Sequence, residues 1–216
     1  MKKNIIFLAI ALCSFASISN ARGPNYIEPI IDFSEGRYLQ YQSQDPRTVS
    51  IANISIDRSE LESLQKGARI LPEIAAAQLG YYRGRVEEYF IVLKNRTVEQ
   101  FVREAVTLAF EQSGHTVVST GAASAEGVPS VDVKVSELWI WVEPISDSDR
   151  SRFNFSMTTE LSSDDEQLAS IGTVTVKDFR NGSRERSWKS YRNTIMHSMK
   201  AYIRDFASAV NKTPTT

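Results

Sequence analysis

Residues 130 to 143 read SVDVKVSELWIWVE, and after a short interval the chain reads RFNFSMTTEL over 152 to 161. In both, apolar side chains recur at every second position, the period at which a pleated strand turns successive side chains to opposite faces. Two such strands need an apolar layer to cover their buried side. Val131, Val133 and Val135 are odd-numbered, whereas Leu138, Ile140 and Val142 are even. The second half of this strand is therefore apolar on both faces, or a bulge near Ser136 switches its phase. Phe153, Phe155, Met157, Thr159 and Leu161 alternate cleanly, predicting one buried face.

The covering layer is legible elsewhere. Thr97 is followed three residues later by Gln100, a capping-box pattern at the start of a helix. Val98, Phe101, Val102, Ala105, Leu108 and Ala109 then fall on one helical stripe, and Gly114 suits the left-handed exit. A second stripe, Ile195, Met199, Tyr202, Ile203, Phe206 and Val210, closes the chain.

Other segments fill in the order. Residues 47 to 57 are rich in Val, Ile and Thr and predict a strand, as do 85 to 93 and the start from His115. Residues 68 to 83 fit a short helix or an ordered loop, bracketed by Pro72 and Gly80. Residues 170 to 180 and 183 to 191 predict a hairpin across Asn181-Gly182, because both turn positions tolerate positive φ. The predicted class is α+β: a mainly antiparallel sheet with two long amphipathic helices packed on one face.

The N-terminus sets the compartment. Lys2 and Lys3 precede an apolar run from Ile5 to Ile18 and the small-residue site Ser19-Asn20-Ala21. That run is about 14 residues, short of the ~20 that span a bilayer, so 1–21 reads as a signal peptide cleaved behind Ala21. The alternative is an uncleaved signal anchor. The expected organisation is then an extended arm over 22–46, broken by Pro24, Pro29 and Pro46 and pinned by Ile30, Ile31 and Phe33. A single domain follows over 47–210, with a disordered tail over 211–216. The lone cysteine, Cys13, lies inside the leader, so the exported body has no thiol and no disulfide framework. Lipid attachment at Cys13 is disfavoured because Leu12, not a small residue, precedes it.

Together, the secreted start, the early strand, the capped helix NRTVEQFVREAVTLAFEQSGHTVV, the long strand VDVKVSELWIWVE and the segment FRNGSRERSWKSY before a closing helix resemble the YajG-type envelope lipoproteins of bacteria. The resemblance covers roughly residues 47 to 210 in element order. It implies a periplasmic α+β domain of unassigned biochemical role, with association to the outer membrane as a further expectation, usually tethered by lipid at an N-terminal cysteine. A more distant likeness to auxiliary lipoproteins of envelope ABC transporters implies, as the alternative, an accessory subunit in lipid or solute transport.

Chemistry-bearing patterns are sparse. A net charge of −1 leaves no electrostatic footprint for nucleic acid. His115 and His197 are the two histidines; neither belongs to an HExxH motif, and both read as structural or solvent-facing. No GxSxG elbow occurs, and the Gly121 to Gly127 loop lacks the Gly-Lys-Ser/Thr ending that grips phosphate. Asp147 with Asp149, and Asp164, Asp165 and Glu166, lack the glycine and distal glutamate of a calcium loop. Glu87 with Glu88, and Glu137 with Glu143, are explained more simply as solvent-facing strand residues than as acid–base pairs. No cofactor, metal or catalytic residue is expected.

What leans toward binding is aromatic and basic. Trp139 and Trp141 share a strand face, either as core beneath a helix, the simpler reading, or as a contact surface. Arg184, Arg186 and Lys189, with Arg180 and Arg192, concentrate charge around the predicted hairpin, suited to a partner's acidic patch or to a membrane surface. The sequence points to a non-enzymatic interaction module with an envelope protein as partner, and it names no ligand and no oligomeric state. Mass spectrometry of the exported protein is expected to show a free N-terminus at Arg22. A chain that starts at Cys13 with an added lipid mass overturns this.

Overall fold

The computed structural model describes residues 25–36, 38–41, 43, 45–59, 62, 71–83, 88–118, 127–145, 150–183 and 188–211. The expectations for the leader, Ala21, Cys13, Arg184 and Arg186 lie outside these residues.

The described chain is a mixed α/β structure. Eight strands form one sheet: β1 (Asn25–Ile27), β2 (Thr48–Ile56), β3 (Gln78–Arg83), β4 (Glu88–Val92), β5 (Thr116–Val118), β6 (Ser130–Pro144), β7 (Arg150–Ser163) and β8 (Thr173–Ser183). Four α-helices accompany them: α1 (Pro72–Ala77), α2 (Val98–Gln112), α3 (Glu166–Ala169) and α4 (Trp188–Asn211). The sheet is mostly antiparallel through the long β6–β7 and β7–β8 pairings and the β3–β4 pair. It also has parallel pairs, β1–β4, β2–β5, β2–β6 and β3–β6, which strand alternation alone does not reveal. Among the described residues no helix is long and apolar enough to cross a membrane.

β6 organises the sheet. One of its edges pairs with β7 from Val131 to Pro144. Its other edge serves two strands in turn: β2 runs beside residues 130 to 135, and β3 touches at Gly80 opposite Ile140. That single bridge depends on glycine, since a Cβ at Gly80 would sit 2.2 Å from the Ile140 carbonyl oxygen. Between the two strands, Arg58 reaches into the gap and donates to the Gln78 carbonyl at 2.6 Å. Burial holds its pKa below the usual arginine value.

The capping box at the head of α2 is formed in full. Thr97 Oγ1 accepts from the Gln100 backbone N–H at 3.1 Å, and Gln100 Oε1 accepts from the Thr97 N–H at 2.8 Å. Gly114 ends the helix at φ +89°, where its backbone lies so close to Ser43 that a Cβ would stand 2.8 Å from the Ser43 nitrogen. Inward-facing residues of α2 and α4 meet at Phe110 and Phe206, whose rings cross edge to face at 4.8 Å. On α4, Tyr191 sets its ring edge-on to Phe153 at 5.0 Å, and Tyr202 shares a buried 2.9 Å hydroxyl bond with Thr159.

Three expectations are revised. The segment 22–46 is more than an arm: Asn25–Ile27 adds a strand parallel to β4, and Phe33 packs its ring 5.5 Å from Phe101. Ile31 is buried, but Ile30 is half exposed and pins nothing. Asn181-Gly182 is no hairpin turn, because β8 continues through it in register with Arg152 and Ser151, and α4 begins at Trp188. Gly182 is needed for space instead, since a Cβ there would lie 2.8 Å from the Phe153 ring. Thus a glycine that local sequence preference assigns to a turn is required by a ring packed against it.

Phe101 and Phe206 are fully buried on α2 and α4. Replacing either by Ala is expected to destabilise the fold by roughly 3–5 kcal/mol in urea denaturation, the transfer loss plus a cavity. A loss below ~1 kcal/mol at either position removes that helix from the core.

Candidate functional site

The β6 ladder shifts register between Val135 and Glu137, placing an extra residue, Ser136, in the strand. Ahead of this bulge Val131, Val133 and Val135 are buried, the last two opposite Leu161 and Thr159; beyond it Leu138, Ile140 and Val142 face Met157, Phe155 and Phe153. Of the two readings the sequence allows, the phase switch is the one present, and it decides where the tryptophans go. Trp139 and Trp141 turn to the face opposite Phe153, Phe155 and Met157, half-buried, their ring centroids 5.0 Å apart. They are not core beneath a helix. Trp141 Nε1 donates to Glu143 Oε1 at 3.1 Å, which fixes the indole orientation.

Cross-strand register extends this surface over β7 and β8. Trp139 is opposite Ser156 and then Lys177; Trp141 is opposite Asn154 and then Phe179. Phe179 is 50% exposed, far out of line for a phenylalanine, and the Arg152 guanidinium lies 4.6 Å from its ring centroid. Asn154 and Ser156 are buried although they point away from the Phe153 side, so the indoles, Phe179 and Lys177 close over them. This departs from the one-sided burial that the alternation of β7 predicts. The arrangement is an aromatic row with a polar floor and a stacked arginine at one end.

A charged ladder continues from it. Lys134 pairs with Glu160 and Lys177 with Glu137, both at 3.1 Å, and the Thr158 and Thr175 hydroxyls are 3.1 Å apart. Burial raises the Glu137 carboxyl pKa, but hydrogen bonds and the Lys177 charge outweigh it and leave the pKa below the ordinary value. Glu137 and Glu143 are thus each engaged, one by an ammonium and one by an indole.

Of the basic residues expected around a hairpin, Lys189, Arg192 and Arg180 are among the described residues. Lys189 is on the first turn of α4, its ammonium 5.8 Å from the Trp188 ring centroid, and Arg192 pairs with Glu35. Arg180 stands on β8 opposite Phe153.

The histidines differ from one another. His115 is buried against Phe110, its Nδ1 accepting the Arg47 backbone N–H at 3.2 Å, with no described partner at Nε2. Arg47 in turn pairs with Asp45 and Asp165, and Asp165 caps α3, so this end of the molecule is a structural knot. His197 is half exposed with Nε2 3.3 Å from Asp178 Oδ2, on the wall of a cavity of about 550 Å³. Sequence reasoning missed this pair, because only folding brings Asp178 on β8 to α4. No serine or cysteine lines that cavity among the described residues, so His197 and Asp178 have no nucleophile of that kind beside them. Among the described residues no three His, Cys, Asp or Glu side chains are grouped to hold a metal ion.

No family model and no curated relative matches the chain. Solved structures similar to it include an uncharacterized protein at 8% identity and TM-score 0.30, covering 81% of this chain and 95% of that one. Another, described as a putative neuraminyllactose-binding hemagglutinin homolog from Helicobacter pylori, matches at 12% identity and TM-score 0.34, covering 82% and 91%.

Burial holds the His115 pKa below its ordinary 6.5, Arg47 pushes it the same way and Asp45 opposes. The folded state thus favours the neutral ring. Stability from this group is full above pH 6.5 and falls with the pH below it, as the unfolded chain takes up the proton first. Urea midpoints measured between about pH 7.5 and about pH 5 are expected to decline in the parent and to run flatter in His115→Gln. Parallel curves assign the decline to other groups.

Proposed function

We propose that this chain is an exported bacterial envelope protein that works by interaction rather than catalysis, in the manner of the YajG-type proteins it resembles. In this reading its two long helices pack on one face of the sheet and leave the other face to a partner. The observation that carries it is the aromatic row. Trp139 and Trp141 lie side by side and half-buried on the face away from Phe153, Phe155 and Met157, continued by the exposed Phe179 and by Arg152. Trp, other aromatic and Arg side chains are the ones that carry most binding energy where proteins meet, because they remove much apolar area from water while keeping a polar edge satisfied. A monomer gains nothing by leaving such a row uncovered.

The partner this surface suits is another envelope protein. The ladder of Lys134–Glu160 and Lys177–Glu137 beside the row is balanced in sign, which favours a protein rim over a uniformly anionic bilayer. Contact with a membrane surface is the outcome to exclude. The compartment follows from the leader-like start, Lys2, Lys3 and the apolar run that ends before Ala21.

A photo-crosslinking amino acid placed at position 179 in living cells tests both. A discrete protein adduct is expected there, lost when Trp141 is changed to Ala and absent when the crosslinker replaces Lys94. Adducts that are only lipid, or that persist without Trp141, overturn the reading.

A further inference from the structure

A cavity lies elsewhere, between α4, the edge strand β8 and residues 38 to 41. It holds about 550 Å³, within the range of small-molecule sites. His197, Lys200, Ala201 and Arg204 line it from one stripe of α4, at the i, i+3, i+4, i+7 spacing of a helix face. Val176 and Ile203 give it apolar wall, and the rings of Tyr38 and Tyr41 stand at its rim.

Its polar groups are unequally committed. Asp178 already accepts from the Phe179 backbone N–H at 2.7 Å and sits 3.3 Å from His197. Asp205 holds Arg204 through Nε at 2.8 Å. Lys177 sends its ammonium to Glu137. What is left over is donors. Lys200 has no carboxylate partner among the described residues, and the terminal nitrogens of Arg204 are not the ones Asp205 holds.

We propose that this cavity binds a small amphipathic organic anion, a single carboxylate or phosphate group held by Lys200 and Arg204 with its apolar body against Val176 and Ala201. Lys200 and Arg204 are exposed to solvent one helical turn apart, and an oxyanion between them would replace water with charge-assisted hydrogen bonds, which are stronger than neutral ones. The apolar walls disfavour a fully hydrated ion such as free phosphate. Trp139, Trp141 and Phe179 do not line the cavity, and Asp178 and Val176 point to the other face of β8 from Phe179, although Lys177 borders both surfaces.

Titration calorimetry of the purified protein with octanoate, octyl phosphate, octanol and inorganic phosphate decides it. Both amphipathic anions are expected to saturate at one equivalent, with affinity about tenfold lower in Lys200→Met and in Arg204→Met, one charge-assisted hydrogen bond each. Lys189→Gln and Trp139→Ala are expected to leave binding unchanged. That last control separates this site from the interaction surface, so either reading can fail alone. Octanol binding as tightly as octanoate removes the anion from the proposal; inorganic phosphate binding as tightly as octyl phosphate removes the apolar body. Titrations unaltered in folded Lys200→Met and Arg204→Met overturn the site altogether.

Discussion

The bulge at Ser136 is the constraint on which the described architecture turns. A strand of fifteen residues, Ser130–Pro144, keeps one side toward the core only if the parity of its buried residues matches that of β7 along its whole length. Val131, Val133 and Val135 set one parity; Leu138, Ile140 and Val142 require the other. One inserted residue reconciles them. Without it, either the three valines or the later Leu, Ile and Val would face water, and Trp139 and Trp141 would crowd Phe153 and Phe155.

The same irregularity divides the far edge of β6. β2 leaves the ladder at Ile56, β3 joins opposite Ile140, and the gap falls where the bulge breaks the regular spacing of backbone groups. Arg58 crosses to the Gln78 carbonyl, a hydrogen bond that offsets part of the desolvation cost of its guanidinium. A core-building device and a surface-building device are thus one feature, since the bulge sends aliphatic side chains inward and aromatic ones outward at the same step. Asn154 and Ser156, paired across the strands with Trp141 and Trp139, are buried on that same face.

β8 is the other hinge of the molecule's chemistry. As an edge strand it shows two different faces to two different surroundings. Its odd positions, Lys177 and Phe179, extend the row begun on β6; its even positions, Val176 and Asp178, meet α4 and close the cavity. Continuation of this strand through Asn181-Gly182 makes it long enough for both. The Phe153 ring over Gly182 stabilises an extended path where local preference alone suggests reversal.

Local rules make much of the fold legible in the chain's own residue order. Capping of α2 by Thr97 and Gln100, its exit at Gly114, the apolar stripes of both long helices and the phase switch on β6 each depend on residues a few positions apart, whose energetics the sequence states directly. Neither the parallel pairings, nor the fate of Asn181-Gly182, nor the outward placement of the tryptophans can be read that way. Each is settled by contacts between residues far apart in the chain, such as Gly80 with Ile140 and Gly182 with Phe153, and the same holds for the meeting of Asp178 with His197 at the cavity. Sequence determined the two long helices with their apolar stripes and several of the longer strands, because backbone geometry repeats over a handful of residues. Tertiary structure decided which strands are neighbours and what stands on the uncovered surfaces, because only the closed packing of distant side chains sets those distances.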